Sequence, residues 1–123
     1  MDVVLAVNDD PRNLVLVTTQ LLLLGVQVVT ASMQQDAVEL ARLLHPRLII
    51  LDLLLEQGDG WDTTREIREL IDLPRIPIII ISAHTEAHDI ERAHLAGADE
   101  FLPKPYDIQD LKALLQRYLA IQV

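Results

Sequence analysis

The sequence predicts an open α/β sandwich: a parallel five-stranded sheet with helices packed on both faces. Three observations predict it. Short apolar runs rich in Ile, Leu and Val recur along the chain, as strands buried on both faces do. Stretches of helical length, apolar at three- and four-residue spacing, alternate with these runs. Three of the runs also stop at polar groups: Val7 leads into Asn8-Asp9-Asp10, Leu51 into Asp52, and Ile81 into Ser82. In an open α/β sheet the carboxyl edge of the strands is where ligands bind.

The first strand is expected over residues 2–7. Asp10 can then cap a helix whose first position suits Pro11. That helix runs to about residue 24 and stops at Gly25, with Leu14, Val17, Leu21 and Leu24 as its core stripe. Val15, Leu16, Leu22 and Leu23 fall off the stripe, so the helix is apolar almost all round. A second strand covers residues 27–31. Ser32 and Gln35 resemble a capping box for a helix over 33–44, with Ala37, Leu40, Ala41 and Leu44 facing the core. His45-Pro46 ends it, since a residue before proline avoids the helical region. Strand three is residues 48–52. A loop over 53–59, with turning freedom from Gly58 and Gly60, leads into a helix over 61–71 whose Trp61 covers the core edge. Pro74 and Pro77 bracket the entry to strand four, residues 78–82. Thr85 can cap a helix over 86–96, closed by Gly97. Strand five, residues 100–102, leads into Pro103-Lys104-Pro105. Asp107 caps a last helix over 108–119.

With 123 residues the chain is one domain, expected to fill 1–123 with no output domain. Half the residues are hydrophobic but only one Trp, two Tyr and one Phe are present, so the core is aliphatic. No apolar run approaches the ~18 residues of a membrane span, and Met1-Asp2 lacks the basic region of a signal peptide. The absence of cysteine excludes disulfides, thiolate metal sites and a cysteine nucleophile. The expectation is a soluble, cytoplasmic protein. A net charge of −9 repels nucleic-acid backbones and suits basic partners and divalent cations.

The strand ends gather Asn8, Asp9, Asp10, Asp52 and Ser82, with Lys104 following the fifth strand. Several carboxylates in one crevice repel one another and stay ionised only with a cation among them. Oxygen ligands without His or Cys point to a hard cation, Mg²⁺. Mg²⁺ held by few carboxylates keeps waters and commonly meets a phosphate. Lys104 and the Ser82 hydroxyl could steady a phosphoryl group, and the Asp52 carboxylate could accept it as a nucleophile.

These marks make the chain similar to the response-regulator receiver domains of two-component signalling. The matching residues are Asn8-Asp9-Asp10-Pro11, Asp52, Gly60, Ser82-Ala83 and Phe101-Leu102-Pro103-Lys104-Pro105, over about residues 2–120. The resemblance implies a flavodoxin-like (βα)5 three-layer sandwich with strand order 2-1-3-4-5. It implies that Asp52 is the phosphoacceptor, served by a histidine kinase or phosphotransfer protein. Asp9, Asp52 and the Leu54 backbone carbonyl would hold Mg²⁺. Asn8 stands where an acid is usual and would act on the metal through water, while Asp10 is foremost a cap with a minor metal reading. Ser82 and Lys104 would bind phosphoryl oxygens, Phe101 would be the switch aromatic, and Lys104-Pro105 would be a cis peptide. The domain would not be an enzyme in its own right, beyond slow self-dephosphorylation tuned by Leu54 and His84.

Asn8 removes a negative charge, so weaker Mg²⁺ binding is expected, and Glu56 makes its loop less rigid. The rival reading is a pseudo-receiver, an interaction module independent of phosphorylation. The resemblance places kinase docking on the first helix, near Val15 and Leu22, and an unidentified downstream partner on the fourth helix, fifth strand and fifth helix. Mixed charges there (Glu91, Arg92, Asp110, Lys112, Arg117) also suit a homodimer. Zinc at His84 and His88 is a minor alternative, lacking a fixed third ligand.

Overall fold

The structure is a computed structural model, described here for residues 3–52, 60–70, 75–83 and 86–119. Five strands alternate with five helices: β1 Val3–Val7, α1 Pro11–Leu23, β2 Gln27–Ala31, α2 Gln34–Leu44, β3 Leu48–Asp52, α3 Gly60–Arg68, β4 Ile78–Ser82, α4 Ala87–Ala96, β5 Glu100–Pro103 and α5 Ile108–Tyr118. All pairings are parallel and the strand order is 2-1-3-4-5. Among the described residues no helix is long and apolar enough to cross a membrane.

Side-chain alternation divides the strands between two cores. Val4, Ala6, Leu48, Ile50, Ile79, Ile81 and Leu102 face α1 and α5. Leu5, Ile49, Leu51, Ile78 and Ile80 face α2, α3 and α4. Every residue of β3 and β4 is buried, which is why both read as unbroken apolar runs. The register carries this parity to the carboxyl edge. Val7 stands opposite Leu51, and Asp52 opposite Ile81. Asn8 therefore follows Val4 and Ala6 onto the α1/α5 side, where Asp52 joins Leu48 and Ile50. Lys104 follows Leu102 to the same side. Ser82 shares the parity of Ile78 and Ile80, so it falls on the α2–α4 side, as does Phe101, which packs on that core.

Helix ends follow the expected chemistry at most positions. The Asp10 carboxylate accepts from Arg12 N–H at 2.9 Å with Pro11 behind it. Asp107 accepts from Asp110 N–H, and the Asp110 carboxylate returns the bond to Asp107 N–H. Gly25 and Gly97 close α1 and α4 at φ 81° and 109°.

Several expectations are corrected. Ser32 does not cap α2: the helix starts at Gln34 behind Met33, whose side chain has no capping oxygen, and Ala37 N–H is bonded by the Met33 carbonyl. Leu44 is exposed rather than in the core, because α2 buries its narrow Ala37/Ala41 stripe. Leu24 is the C-cap of α1, and α3 ends at Arg68. Glu86 is the N-cap of α4, its N–H bonded to the Asp89 carboxylate; Thr85 lies outside the described residues. Trp61 is 2% exposed, inside the core, with the Arg92 guanidinium 5.2 Å from its ring centroid.

Candidate functional site

The carboxyl edge brings Asn8, Asp9 and Asp10 from the end of β1 beside Asp52 at the end of β3. Ser82 and Lys104 complete the group. The ladder continues past the strands: Asn8 N–H donates to the Ala31 carbonyl and Lys104 N–H to the Ser82 carbonyl, at 3.1 and 2.8 Å. Both side chains are therefore positioned by backbone that still behaves as sheet. The Lys104-Pro105 bond is cis, as expected.

Asp52 is 7% exposed and Lys104 Nζ stands 2.6 Å from its Oδ1. The contact is an ion pair without the alignment of a good hydrogen bond, and Oδ1 has no other partner among the described residues. Burial pushes the Asp52 carboxyl above its ordinary 3.8; Lys104 and the Asn8 amide pull it back, and the Asp10 charge pushes it up again. This is a desolvated carboxylate whose close cation among the described residues is Lys104.

Asn8 is 2% exposed. Its Oδ1 accepts from Asp10 N–H at 2.8 Å, which fixes which end of the amide is oxygen. Asp9 is half-buried. Ser82 is buried, and its side chain is engaged in the fold. Asp10 is committed to its cap. Leu54, Glu56, Gly58 and His84 lie outside the described residues. His88 is an exposed residue 3.4 Å from each of the Glu86 and Asp89 carboxylates, away from the crevice.

A cavity of about 360 Å³ opens beside Asp52, lined in part by Leu16, Gln20, Pro105 and Tyr106. Tyr106 hydroxyl donates to Gln20 Oε1 at 2.7 Å, joining the segment after β5 to α1. Burial, with the Asp52 charge adding to it, pushes the Tyr106 hydroxyl up to about 12, so it stays a donor. Neither Gln20 nor Tyr106 was among the sequence candidates. The signal available was an aromatic residue directly after Lys104-Pro105. Leu16 lines the cavity and also belongs to the exposed apolar side of α1 with Val15, Leu22 and Leu23, all more than half exposed.

The donor set suits a hard cation: Asp9 and Asp52 offer carboxylate oxygens from neighbouring strand ends, and Asp52 is under-neutralised by Lys104 alone. Among the described residues, no three His, Cys, Asp or Glu side chains stand together as a ready-made metal cage. A cation here would keep waters. Asn8 offers no carboxylate charge to a cation, and one lone pair of its amide oxygen is already taken by Asp10 N–H.

Comparison with known proteins agrees with this architecture. The response regulator receiver domain family model matches residues 4–116. The transcriptional regulatory protein KdpE of Mycobacterium tuberculosis is 34% identical over 116 residues, 94% of this chain and 50% of that protein. A probable transcriptional regulator, ycf27, of Cyanophora paradoxa is 31% identical over 94% of this chain and 47% of that protein. The chain thus spans about half the length of the curated relatives it matches. The chemotaxis protein CheY4 of Vibrio cholerae superposes with a TM-score of 0.87 at 27% identity, covering 97% of this chain and 99% of that one. The receiver domain of the sensor histidine kinase PA1611 of Pseudomonas aeruginosa, solved with magnesium coordinated in its active site cleft, superposes at 0.85 with 32% identity, covering 95% and 96%. Members of this family typically bind Mg²⁺ and interact with histidine kinases and phosphotransfer proteins. With its strand order, its buried acid and its family match over most of its length, the chain belongs to the response regulator receiver domain family.

Proposed function

We propose that this domain accepts a phosphoryl group on Asp52 and uses it to change which partner it binds. One observation carries the reading: a buried carboxylate at the sheet's carboxyl edge, with Lys104 Nζ at 2.6 Å as its close cation among the described residues. Asp52 attacks phosphorus of a phosphohistidine, forming an O–P bond as the N–P bond breaks; the leaving imidazole takes up a proton. Asp9 and Asp52 would hold Mg²⁺, with the Leu54 carbonyl as the proposed third protein ligand. When bound, the ion neutralises charge on the transferring oxygens. Lys104 pairs with one phosphoryl oxygen. The cavity walled by Leu16, Pro105 and Tyr106 gives the donor's ring an apolar approach to Asp52.

The switch follows from the parity of the sheet. Asp52 belongs to the α1/α5 side, and Ser82 and Phe101 to the other. A phosphoryl group on Asp52 draws the Ser82 hydroxyl toward it. Phe101 moves into the space released, and the surface of α4, β5 and α5 changes. A partner that prefers one of these states reads the signal. The chemistry is the same whether the output lies in this polypeptide or another. Arg92, Asp110 and Arg117 are already engaged within the chain, so a homodimer through α4 and α5 has fewer charges to pair than the sequence suggests.

A histidine kinase or phosphotransfer protein would dock on the apolar side of α1, which is continuous with the cavity through Leu16. Leu22→Glu keeps the fold, since Leu22 is 59% exposed, and weakens phosphotransfer from such a donor. Its transfer from a small phosphodonor stays at the wild-type rate. An unchanged rate from the protein donor would remove α1 from the docking surface.

The second reading, a phosphorylation-independent interaction module, rests on the neutral Asn8. Incubation with a small phosphodonor and Mg²⁺, followed by intact-mass spectrometry, separates the two. The acceptor reading expects one added phosphoryl group. No addition, where another receiver reacts under the same conditions, favours the module.

A further inference from the structure

The Asn8 side chain is buried, its oxygen is fixed, and its Nδ2 makes no well-aligned hydrogen bond among the described residues, although it stands close enough to Asp52 to favour that carboxylate's charged form. A buried amide N–H left unsatisfied costs about 1–3 kcal/mol. Such a group at the end of a strand, on the same side of the sheet as Asp52, is a donor waiting for an acceptor. The orientation is not arbitrary. Asp10 N–H can bond only the amide oxygen, so the NH₂ end is the one left over, and its action on the Asp52 carboxyl places it beside that acid.

We propose that Asn8 Nδ2 donates directly to an oxygen of the phosphoryl group on Asp52, so that this position binds the phosphoryl group rather than the metal. The inference rests on the reading of Asp52 as phosphoacceptor. Charge argues for it. A phosphoryl group brings about −1.5 to −2 charges at neutral pH. A carboxylate at position 8 would repel that charge unless a cation stood between them. An amide N–H attracts it with no cation. Lys104, Ser82 and Asn8 then surround the phosphoryl group as three protein donors, two on the α1/α5 side and one on the other. Occupation also satisfies the amide, so the phosphorylated state gains a bond that the free domain lacks.

The test uses fluoroberyllate, a phosphoryl mimic that has been used to activate other receivers of this fold. Wild-type protein, uniformly ¹⁵N-labelled, is titrated with fluoroberyllate at saturating Mg²⁺. The Asn8 side-chain amide is followed by NMR and assigned by its absence in Asn8→Asp. One Asn8 Nδ2 proton is expected to shift downfield on binding. Asn8→Ala is expected to lose about ten- to a hundredfold in fluoroberyllate affinity, the range for a hydrogen bond to a charged group. Its Mg²⁺ affinity without fluoroberyllate should change less than about threefold. If the complex forms, seen by ¹⁹F resonance of the bound mimic, while the Asn8 amide stays unmoved, the donor role is overturned and the acceptor role of Asp52 stands. If Asn8→Ala loses Mg²⁺ affinity in parallel with the mimic, Asn8 serves the metal and the proposal is wrong. If wild type at saturating Mg²⁺ never binds the mimic, the acceptor reading falls and takes this inference with it. The amide shift is read on wild type, so the test holds even if Asn8→Ala fails to fold.

Discussion

Asp52 and Asp99 are both carboxylates at the ends of strands in one sheet, each close to a basic side chain. Asp99 sits at the amino edge and is saturated. It accepts from Arg68 and Arg75, and its Oδ2 also accepts from Ile78 N–H at 2.9 Å. Arg68 in turn donates to the Gly97 and Ile76 carbonyls, so one guanidinium ties α3 to the turns before β4 and β5. Asp52 at the carboxyl edge is more deeply buried, yet its close cation among the described residues is Lys104, in a contact that leaves Oδ1 without a well-formed hydrogen bond. Asn8 Nδ2 nearby is also unmet. One end of the sheet spends its charges on holding the fold, and the other keeps bonding capacity in reserve. Unmet polar groups in a buried crevice cost stability, and their presence beside a desolvated acid is the mark of a site built for an incoming group.

The largest expected effect on stability lies at the saturated edge. Asp99→Ala leaves Arg68 a largely desolvated cation without its carboxylate partner and should destabilise the fold by about 2–3 kcal/mol. The Arg75 arm is mostly exposed and adds little. Denaturant melts check this, and phosphorylation per folded molecule should be unaffected. Gly97→Ala comes next. Residue 97 has φ 109°, and a Cβ there would lie 2.7 Å from Arg68 Cγ, so the substitution should cost about 1–3 kcal/mol in the same melts. The smallest effect has the opposite sign. Asp52→Asn removes a buried charge and should raise stability at neutral pH by about 1 kcal/mol, the size of ordinary stabilising changes. Its pH dependence is fixed by the direction of the shift. Burial holds the folded-state pKa of Asp52 above 3.8, so the folded chain keeps a proton that the unfolded chain has released. Wild-type stability therefore falls as pH rises from 3.8 through that folded-state value, and Asp52→Asn lacks this loss. The advantage of Asp52→Asn should shrink as pH falls below the window. Thermal melts from acid to neutral pH check the trend, and an Asp52→Asn variant less stable than wild type at neutral pH would make Asp52 structural, like Asp99.

The fold was legible because a parallel sheet with both faces covered leaves unbroken apolar runs, and β3 and β4 show them without interruption. The bounds of β3 and β4 followed directly from those runs. Asp52, Ser82 and Lys104 were legible because strand ends in this architecture converge on one edge. The Arg68–Asp99 clasp was not. Its two residues are 31 apart and look like any other surface charges until the turns bring them together. Met33 as an N-cap was missed because the expectation there rested on side-chain oxygens, and this cap has none. The setting of Asn8 was only half legible. Its identity announced a missing charge, but the direction of its amide depends on a bond to Asp10 N–H that no spacing rule encodes.

If the carboxyl edge carries chemistry and the amino edge carries structure, the two carboxylates should differ in reactivity. The most direct test is to map the acceptor. Wild-type protein is treated with a small phosphodonor and Mg²⁺, the acyl phosphate is trapped by borohydride reduction, and the modified residue is located by peptide mass spectrometry. Modification is expected at Asp52 alone, lost in Asp52→Asn and retained in Asp99→Ala. Modification at another carboxylate, or none while a parallel receiver is modified, would contradict it.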